Sequence, residues 1–213
     1  LEWSPSPMKG VYRRKIDRIG NEVARCTTVV KYDPNGKFHS HTHTGGEEFI
    51  VIDGEFNDKE GDYPAGTYCR HPIGSSHEPW TVKGCTILVK LQFMVDKTET
   101  ESTVINWNDA SLWKAISEGR QLLKLYENKN TKEHVWMERW APGSSVDWTV
   151  GWGGEELFVV EGSFKNEKGD EDCELHSWLR LPPGDEGNEI KRTTKDGCLL
   201  FFKQGHLQPF VGK

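Results

Sequence analysis

One run of residues occurs twice in this chain, and that repetition constrains its fold more than any other feature. Gly45-Gly46-Glu47-Glu48-Phe49-Ile50-Val51-Ile52-Asp53-Gly54-Glu55-Phe56 is answered 108 residues later by Gly153-Gly154-Glu155-Glu156-Leu157-Phe158-Val159-Val160-Glu161-Gly162-Ser163-Phe164. Further matches keep the same order. Asp33-Pro34-Asn35-Gly36 corresponds to Trp140-Ala141-Pro142-Gly143. Tyr68-Cys69-Arg70-His71-Pro72-Ile73-Gly74 corresponds to Trp178-Leu179-Arg180-Leu181-Pro182-Pro183-Gly184. Trp3, Gly10 and Lys15 likewise answer to Trp113, Gly119 and Lys124. An ordered self-similarity of this length means one structural unit built twice. Each copy is about the size of an independent domain. The expected division is 1–104 and 105–213.

Within each copy, short runs rich in Val, Ile, Thr, Phe and Tyr are separated by Gly, Asn, Asp and Pro. That pattern predicts strands joined by turns. In the first copy the strands fall at 11–17, 23–32, 37–43, 47–53, 67–70 and 84–94. In the second they fall at 120–126, 134–141, 145–150, 155–161, 174–181 and 197–203. Many short strands near ten-residue spacing indicate a barrel or sandwich. The one helical candidate is Asp109 to Glu118, one or two turns with Asn108 or Asp109 as its cap. The repeat pairs that stretch with the strand-like start of the chain.

The segment His39-Ser40-His41-Thr42-His43-Thr44-Gly45-Gly46-Glu47 carries the chemistry. Side chains alternate along a strand, so His39, His41 and His43 share a face. Gly45-Gly46 makes a tight turn, and Glu47 opens the next strand. A hairpin can therefore bring one carboxylate beside the imidazoles. A further ligand must come from elsewhere.

Together with the later Gly66-x5-Pro72-x-Gly74-x2-His77, this segment resembles the two motifs of the cupin family. His41-x-His43-x3-Glu47-x6-Gly54 matches the first motif, with Gly36 one residue nearer than its usual opening glycine. The second motif usually ends on an asparagine, and Thr81 stands there instead. The resemblance implies an all-β fold of two tandem cupin jelly-roll barrels. It also implies a metal site made of His41, His43, Glu47 and His77. Three imidazoles and one carboxylate suit one divalent transition metal, whether Zn, Fe, Mn, Ni or Co.

More narrowly, Gly45 to Phe56 and Tyr68 to His77 resemble the cupin domain of the anti-sigma factor ChrR. That resemblance implies zinc and a regulatory or sensing role. The wider cupin resemblance implies, as the alternative, an iron-dependent dioxygenase acting on a small diketone or aryl ketone. The sigma-binding domain of ChrR has an HxxxCxxC zinc pattern that these 213 residues do not contain, which argues against binding a sigma factor.

Neighbouring residues receive plainer readings. His39 is a surface or supporting residue, His71 is structural, and Glu48 is a solvated neighbour of Glu47. Cys69 and Cys85 are small buried apolar groups. Trp80, close to His77, could line a pocket. In the second copy, alignment on the glutamate puts Thr149, Gly151 and Glu155 where the first has His41, His43 and Glu47. Gly187 falls at the place of His77. Only one ligand survives, so no metal is expected there. Trp148 and Trp152 are expected to face away from the former metal side, and His176 and His206 to lie at the surface.

Charge and cysteine usage narrow the remaining classes. The formal net charge is −6 with no basic run, which argues against nucleic acid. No apolar run is long enough to span a membrane as a helix. Five dispersed cysteines without a CxxC pair suggest reduced thiols and a cytoplasmic setting. The expected partners are a second copy of the chain and a small-molecule ligand.

Overall fold

The computed structural model describes residues 1–21, 24–167, 171–185 and 187–207. It divides into two compact units, Leu1–Asn108 and Asp109–Lys213. The break comes four residues after the expected one, because the strand Thr103–Asn106 pairs back onto Thr67–Arg70 of the first unit. Among the described residues, no helix is long and apolar enough to cross a membrane.

The first unit holds β1 (Ser4–Pro5), β2 (Val11–Gly20), β3 (Ala24–Tyr32), β4 (His41–Thr42), β5 (Glu47–Asp58), β6 (Gly61–Pro64), β7 (Thr67–His71), β8 (Ser76–His77), β9 (Cys85–Leu91) and β10 (Thr103–Asn106). The second holds β11 (Lys114–Ser117), β12 (Arg120–Asn128), β13 (Glu133–Trp140), β14 (Ser145–Thr149), β15 (Glu155–Gly162), β16 (Phe164–Asn166), β17 (Glu171–Cys173), β18 (Trp178–Leu181), β19 (Glu189–Thr193) and β20 (Cys198–Gln204). Both units are jelly-roll barrels of antiparallel strands.

The repeat is visible in the pairing. The main sheet of the first unit runs β1-β2-β3-β9-β5-β7-β10, and that of the second runs β11-β12-β13-β20-β15-β18. The ladder slips at Lys15/Asp17 and at Val51/Asp53, and again at Lys124/Tyr126 and Val159/Glu161. Both slips fall at matching positions of the two copies. β-Bulges bend strands and increase their twist, which helps a sheet to close. Gly54, the last residue of the first motif, has φ 74°, and a Cβ there would lie 2.1 Å from the Gly84 carbonyl oxygen. Gly162 repeats this with φ 71° and the Gly197 carbonyl at the same distance. Only glycine tolerates both the dihedral and the approach.

Alternation sorts each strand into an inner and an outer face. Val11, Val30, Tyr32, Phe49, Val51, Phe56, Ile87 and Val89 belong to the first core. Trp140, Trp148, Leu157, Phe164, Leu200 and Phe202 belong to the second. Each such side chain contributes roughly 1.5–3 kcal/mol by leaving water.

Two expectations change. The strand expected at 37–43 survives only as β4 and an isolated bridge from Lys37 to Trp80. His41 Nδ1 instead bonds the His39 carbonyl at 2.9 Å, a local contact that competes with strand pairing. The helical candidate is a single 3₁₀ turn, Ala110–Leu112, followed at once by β11. Asp109 does cap it, accepting the Ser111 N–H at 2.9 Å. Its remaining residues pair with β12, as the repeat requires.

Candidate metal centre

β4 and β8 pair through His41 and His77, which places those two imidazoles side by side. His43 follows β4, held where its N–H donates to the Ser75 carbonyl and its own carbonyl accepts the Gly74 N–H. The Gly45-Gly46 turn then starts β5 with Glu47. One ligand atom from each of His41, His43, Glu47 and His77 lies within 4.8 Å of every other. The imidazole centroids are 4.6 to 5.0 Å apart. Glu47 Oε2 lies 3.5 Å from both His43 Nε2 and His77 Nε2.

The hydrogen bonds on the far side of each ring fix what the near side can do. His41 Nδ1 meets the His39 carbonyl, which can only accept. His43 Nδ1 meets Ser75 Oγ at 3.0 Å, and that hydroxyl already donates to the Pro72 carbonyl at 2.7 Å. His77 Nδ1 meets the Asp58 carboxylate at 3.0 Å. All three Nδ1 atoms must therefore donate, which leaves each neutral ring with its Nε2 lone pair free. His43 Nε2, His77 Nε2 and Glu47 Oε2 are buried with no hydrogen-bond partner among the described residues. Orphaned buried acceptors converging on one point are costly unless a cation satisfies them. The donor set fits a divalent transition metal.

Electrostatics give the same picture. Burial, reinforced by the neighbouring His77 and His41, drives His43 down to about 2. Burial pushes Glu47 up to about 7. Burial lowers His77, but the hydrogen bond to Asp58 and the charge of Glu47 leave it above its ordinary value. Asp58 is raised by burial yet ends below its ordinary value, through hydrogen bonds from His77, the Glu60 N–H and Tyr63. Asp58 was not legible as part of the site. It lies eleven residues beyond Glu47, at the far end of β5.

The centre opens into a cavity of about 460 Å³. Inward side chains of β2, β3 and β9 form its apolar walls, among them Val11, Val30, Ile87 and Val89. His39 lines the rim, exposed and 3.3 Å from Met8 Sδ, and stays outside the ligand cluster. His71 is buried, its Nδ1 3.0 Å from Ser102 Oγ and its ring 5.6 Å from that of His77. Cys69 and Cys85 sit in the apolar core. Trp80 does not line the cavity; it is 38% exposed and pairs through its backbone with Asn57.

Glu48 is not solvated. It is 1% exposed, with Arg70 Nη1 at 3.0 Å and the Tyr68 hydroxyl at 2.9 Å. It faces the outer side of β5, where neighbouring segments cover it.

The second unit corrects the alignment. Val150 exchanges backbone hydrogen bonds with Asn188 and Gly187 as His43 does with Ser75 and Gly74. Trp148 pairs with Ile190 as His41 pairs with His77. The structural counterparts of His41, His43 and His77 are therefore Trp148, Val150 and Ile190, not Thr149, Gly151 and Gly187. Loop lengths differ on both sides of β14 and ahead of β19, and a shift of one residue turns a side chain to the other face. Trp148 consequently points inward, while Trp152 is 44% exposed. Thr81 keeps its place in this register. Its hydroxyl donates to the Glu55 carbonyl and accepts the Gly84 N–H, as Thr194 does with Ser163 and Gly197. A threonine thus holds the turn where the family usually has asparagine.

Aromatic rings and ion pairs pack the second barrel. Trp136, Phe202 and Trp148 stack at 5.0 and 4.7 Å. Glu155, the counterpart of Glu47, has the fully buried Arg192 guanidinium at 3.4 Å and accepts the Trp148 N–H at 3.1 Å. A fixed cation thus partners this carboxylate. Arg120 likewise pairs with Glu138 at 2.6 Å. Among the described residues this unit has no metal-binding cluster. His206 is buried, with Nε2 3.3 Å from Glu156 Oε2, contrary to its expected surface position. His176 is half-buried and stacks on Phe158 at 5.6 Å.

Known structures share this architecture. A protein from Pseudomonas aeruginosa described as glyoxylate induced is 16% identical, over 95% of this chain and 83% of that one, with TM-score 0.73. Salicylate 1,2-dioxygenase from Pseudaminobacter salicylatoxidans is 12% identical, over 93% and 78%, with TM-score 0.68. The pirin YhhW from Escherichia coli, in complex with nickel(II), is 13% identical, over 95% and 94%, with TM-score 0.67. At these identities the likeness concerns the fold alone. No curated protein sequence matches the chain. The Cupin_7 family, described as the ChrR cupin-like domain, matches residues 1–95 and again 100–208. The tandem units, the converging histidines and the double match agree: this chain belongs to the ChrR cupin-like family.

Proposed function

We propose that the first barrel binds one divalent transition metal through His41, His43, Glu47 and His77 and presents it to a small, largely apolar organic molecule. The observation that carries this reading is the continuity between the ligand cluster and the cavity of about 460 Å³. A purely structural metal site is closed by its ligands, whereas a catalytic one keeps an open side. When bound, the metal supplies Lewis acidity and, if it is iron, redox chemistry toward dioxygen. The protein's own part is to hold the rings and exclude water. Asp58, Ser75 and the His39 carbonyl lock the three imidazoles. The inward faces of β3 and β9 keep the chamber apolar. The reaction class that fits is oxidation of a small diketone or aryl ketone by an iron-dependent dioxygenase.

The ChrR cupin-like match favours a second reading, a zinc-bound sensor that responds to a molecule entering the same chamber. All five cysteines are buried and outside disulfides, which suits a reducing, cytoplasmic setting under either reading. Dioxygen consumption by iron-loaded protein over a panel of diketones and aryl ketones separates the two. Turnover that disappears in His43→Ala supports the enzyme. Zinc in the protein as isolated, with no consumption across the panel after iron loading, excludes it.

A further inference from the structure

The ligand cluster and β3 both line the chamber. Cys26, Thr28, Val30 and Tyr32 are the inward residues of β3, and all four line the cavity. Thr28 is the anomaly. It is 2% exposed, and its Oγ1 has no hydrogen-bond partner among the described residues. Valine has the same shape and would occupy this apolar wall without burying an unpaired hydroxyl.

The second barrel holds different residues at these positions. Thr28 pairs with Val89 on β9, and the equivalent pair is Trp136 with Phe202. There the two rings stack at 5.0 Å inside the barrel. In the first barrel the same two positions hold small side chains, and one of them carries a hydroxyl. Register also places it relative to the metal. Glu47, Leu91 and Cys26 lie in one row across the sheet, and Phe49, Val89 and Thr28 in the next inward-facing row. Thr28 is thus one row, about 7 Å, along the strands from Glu47 and two strands, about 10 Å, across the sheet from it.

We propose that Thr28 Oγ1 is the second anchor for the molecule bound at the metal, and thus a specificity-determining residue. The ligand class is a compact molecule with an oxygen donor for the metal at one end. It has an apolar middle the size of one ring, and a hydroxyl or carbonyl group at the other end. The inference rests on the metal-and-cavity reading above and adds the chemistry of the ligand's far end.

The test uses cobalt(II)-loaded full-length protein, whose visible absorption reports ligand entry at the metal. The probes are benzohydroxamate and its 3- and 4-hydroxy derivatives, compared in wild type, Thr28→Val and Thr28→Ser. One ring-hydroxylated probe is expected to bind wild type roughly five- to tenfold more tightly than benzohydroxamate, the value of one buried hydrogen bond. Thr28→Val should lose that gain while binding benzohydroxamate as before, and Thr28→Ser should keep it. Ligand-free Thr28→Val should melt no lower than wild type, because it removes an unpaired hydroxyl. A gain that persists in Thr28→Val, or a lower melting temperature for that variant, would assign Thr28 a structural role and overturn the anchor alone. Absence of any spectral response to all three probes would overturn the chamber reading itself, and the anchor with it.

Discussion

At the scale of single residues, the ligand set was legible because its chemistry is local. Two histidines two apart, a glycine turn and a glutamate need only a hairpin to converge, and Pro72 to His77 supplies the rest. The residues that complete the site were not legible. Asp58 reaches His77 only through the fold, and Thr28 is one threonine among many until its strand register is known. Asp58→Asn should therefore weaken metal binding by about 10- to 100-fold while the four ligands remain, because an amide orients His77 less well. Metal titration against a competing chelator measures this. The pH dependence follows from the buried groups. Glu47 is held up to about 7, so the metal-free fold prefers it protonated, and ionising it costs stability as pH rises from its ordinary value through 7. Metal needs the carboxylate charged and so competes with that proton. The metal-induced rise in melting temperature should accordingly be large at pH 8 and shrink toward pH 5.5, each pH unit changing the metal's contribution by up to about 1.4 kcal/mol per proton displaced. Calorimetry with and without metal at each pH provides the check. An unchanged increment would mean that Glu47 is not a ligand.

Six of the ten described strands in each unit were legible, in order, but the short ones that flank them were not, and register was less legible. Alternation located those six, and the double motif paired most of them correctly. It misplaced the second-barrel counterparts of the histidines because loop lengths on both sides of β14 and ahead of β19 differ from those at β4 and β8. Backbone pairing settles these counterparts, and it shows Trp148, Val150 and Ile190 where the first barrel has imidazoles. The same register explains the one surviving ligand position. Glu155 is retained because Arg192 neutralises it inside the barrel. Arg192→Met should destabilise the protein by about 3–5 kcal/mol, since it strands a buried carboxylate. Adding Glu155→Gln should recover part of that loss, as read by denaturant unfolding of the single and double variants. A turn carries the other element-scale prediction. Gly54→Ala should cost at least about 2 kcal/mol, because the new Cβ would lie against the Gly84 carbonyl at a positive φ.

For the whole molecule, the repeat predicted two similar barrels, and the structure supplies two barrels with different interiors. One keeps a chamber beside a cluster of unpaired ligand atoms. The other packs stacked aromatic rings into the same space, with a buried ion pair, Arg192–Glu155, and a part-buried one, Arg120–Glu138. Composition could not reveal this, because nine tryptophans distributed over a chain do not say which of them face inward. Metal stoichiometry after reconstitution and desalting tests this asymmetry most directly, by elemental analysis of wild type, His43→Ala and Glu155→Gln. The account predicts one metal per chain in wild type, one in Glu155→Gln and none in His43→Ala. Two metals per chain, or one retained in His43→Ala, would contradict it.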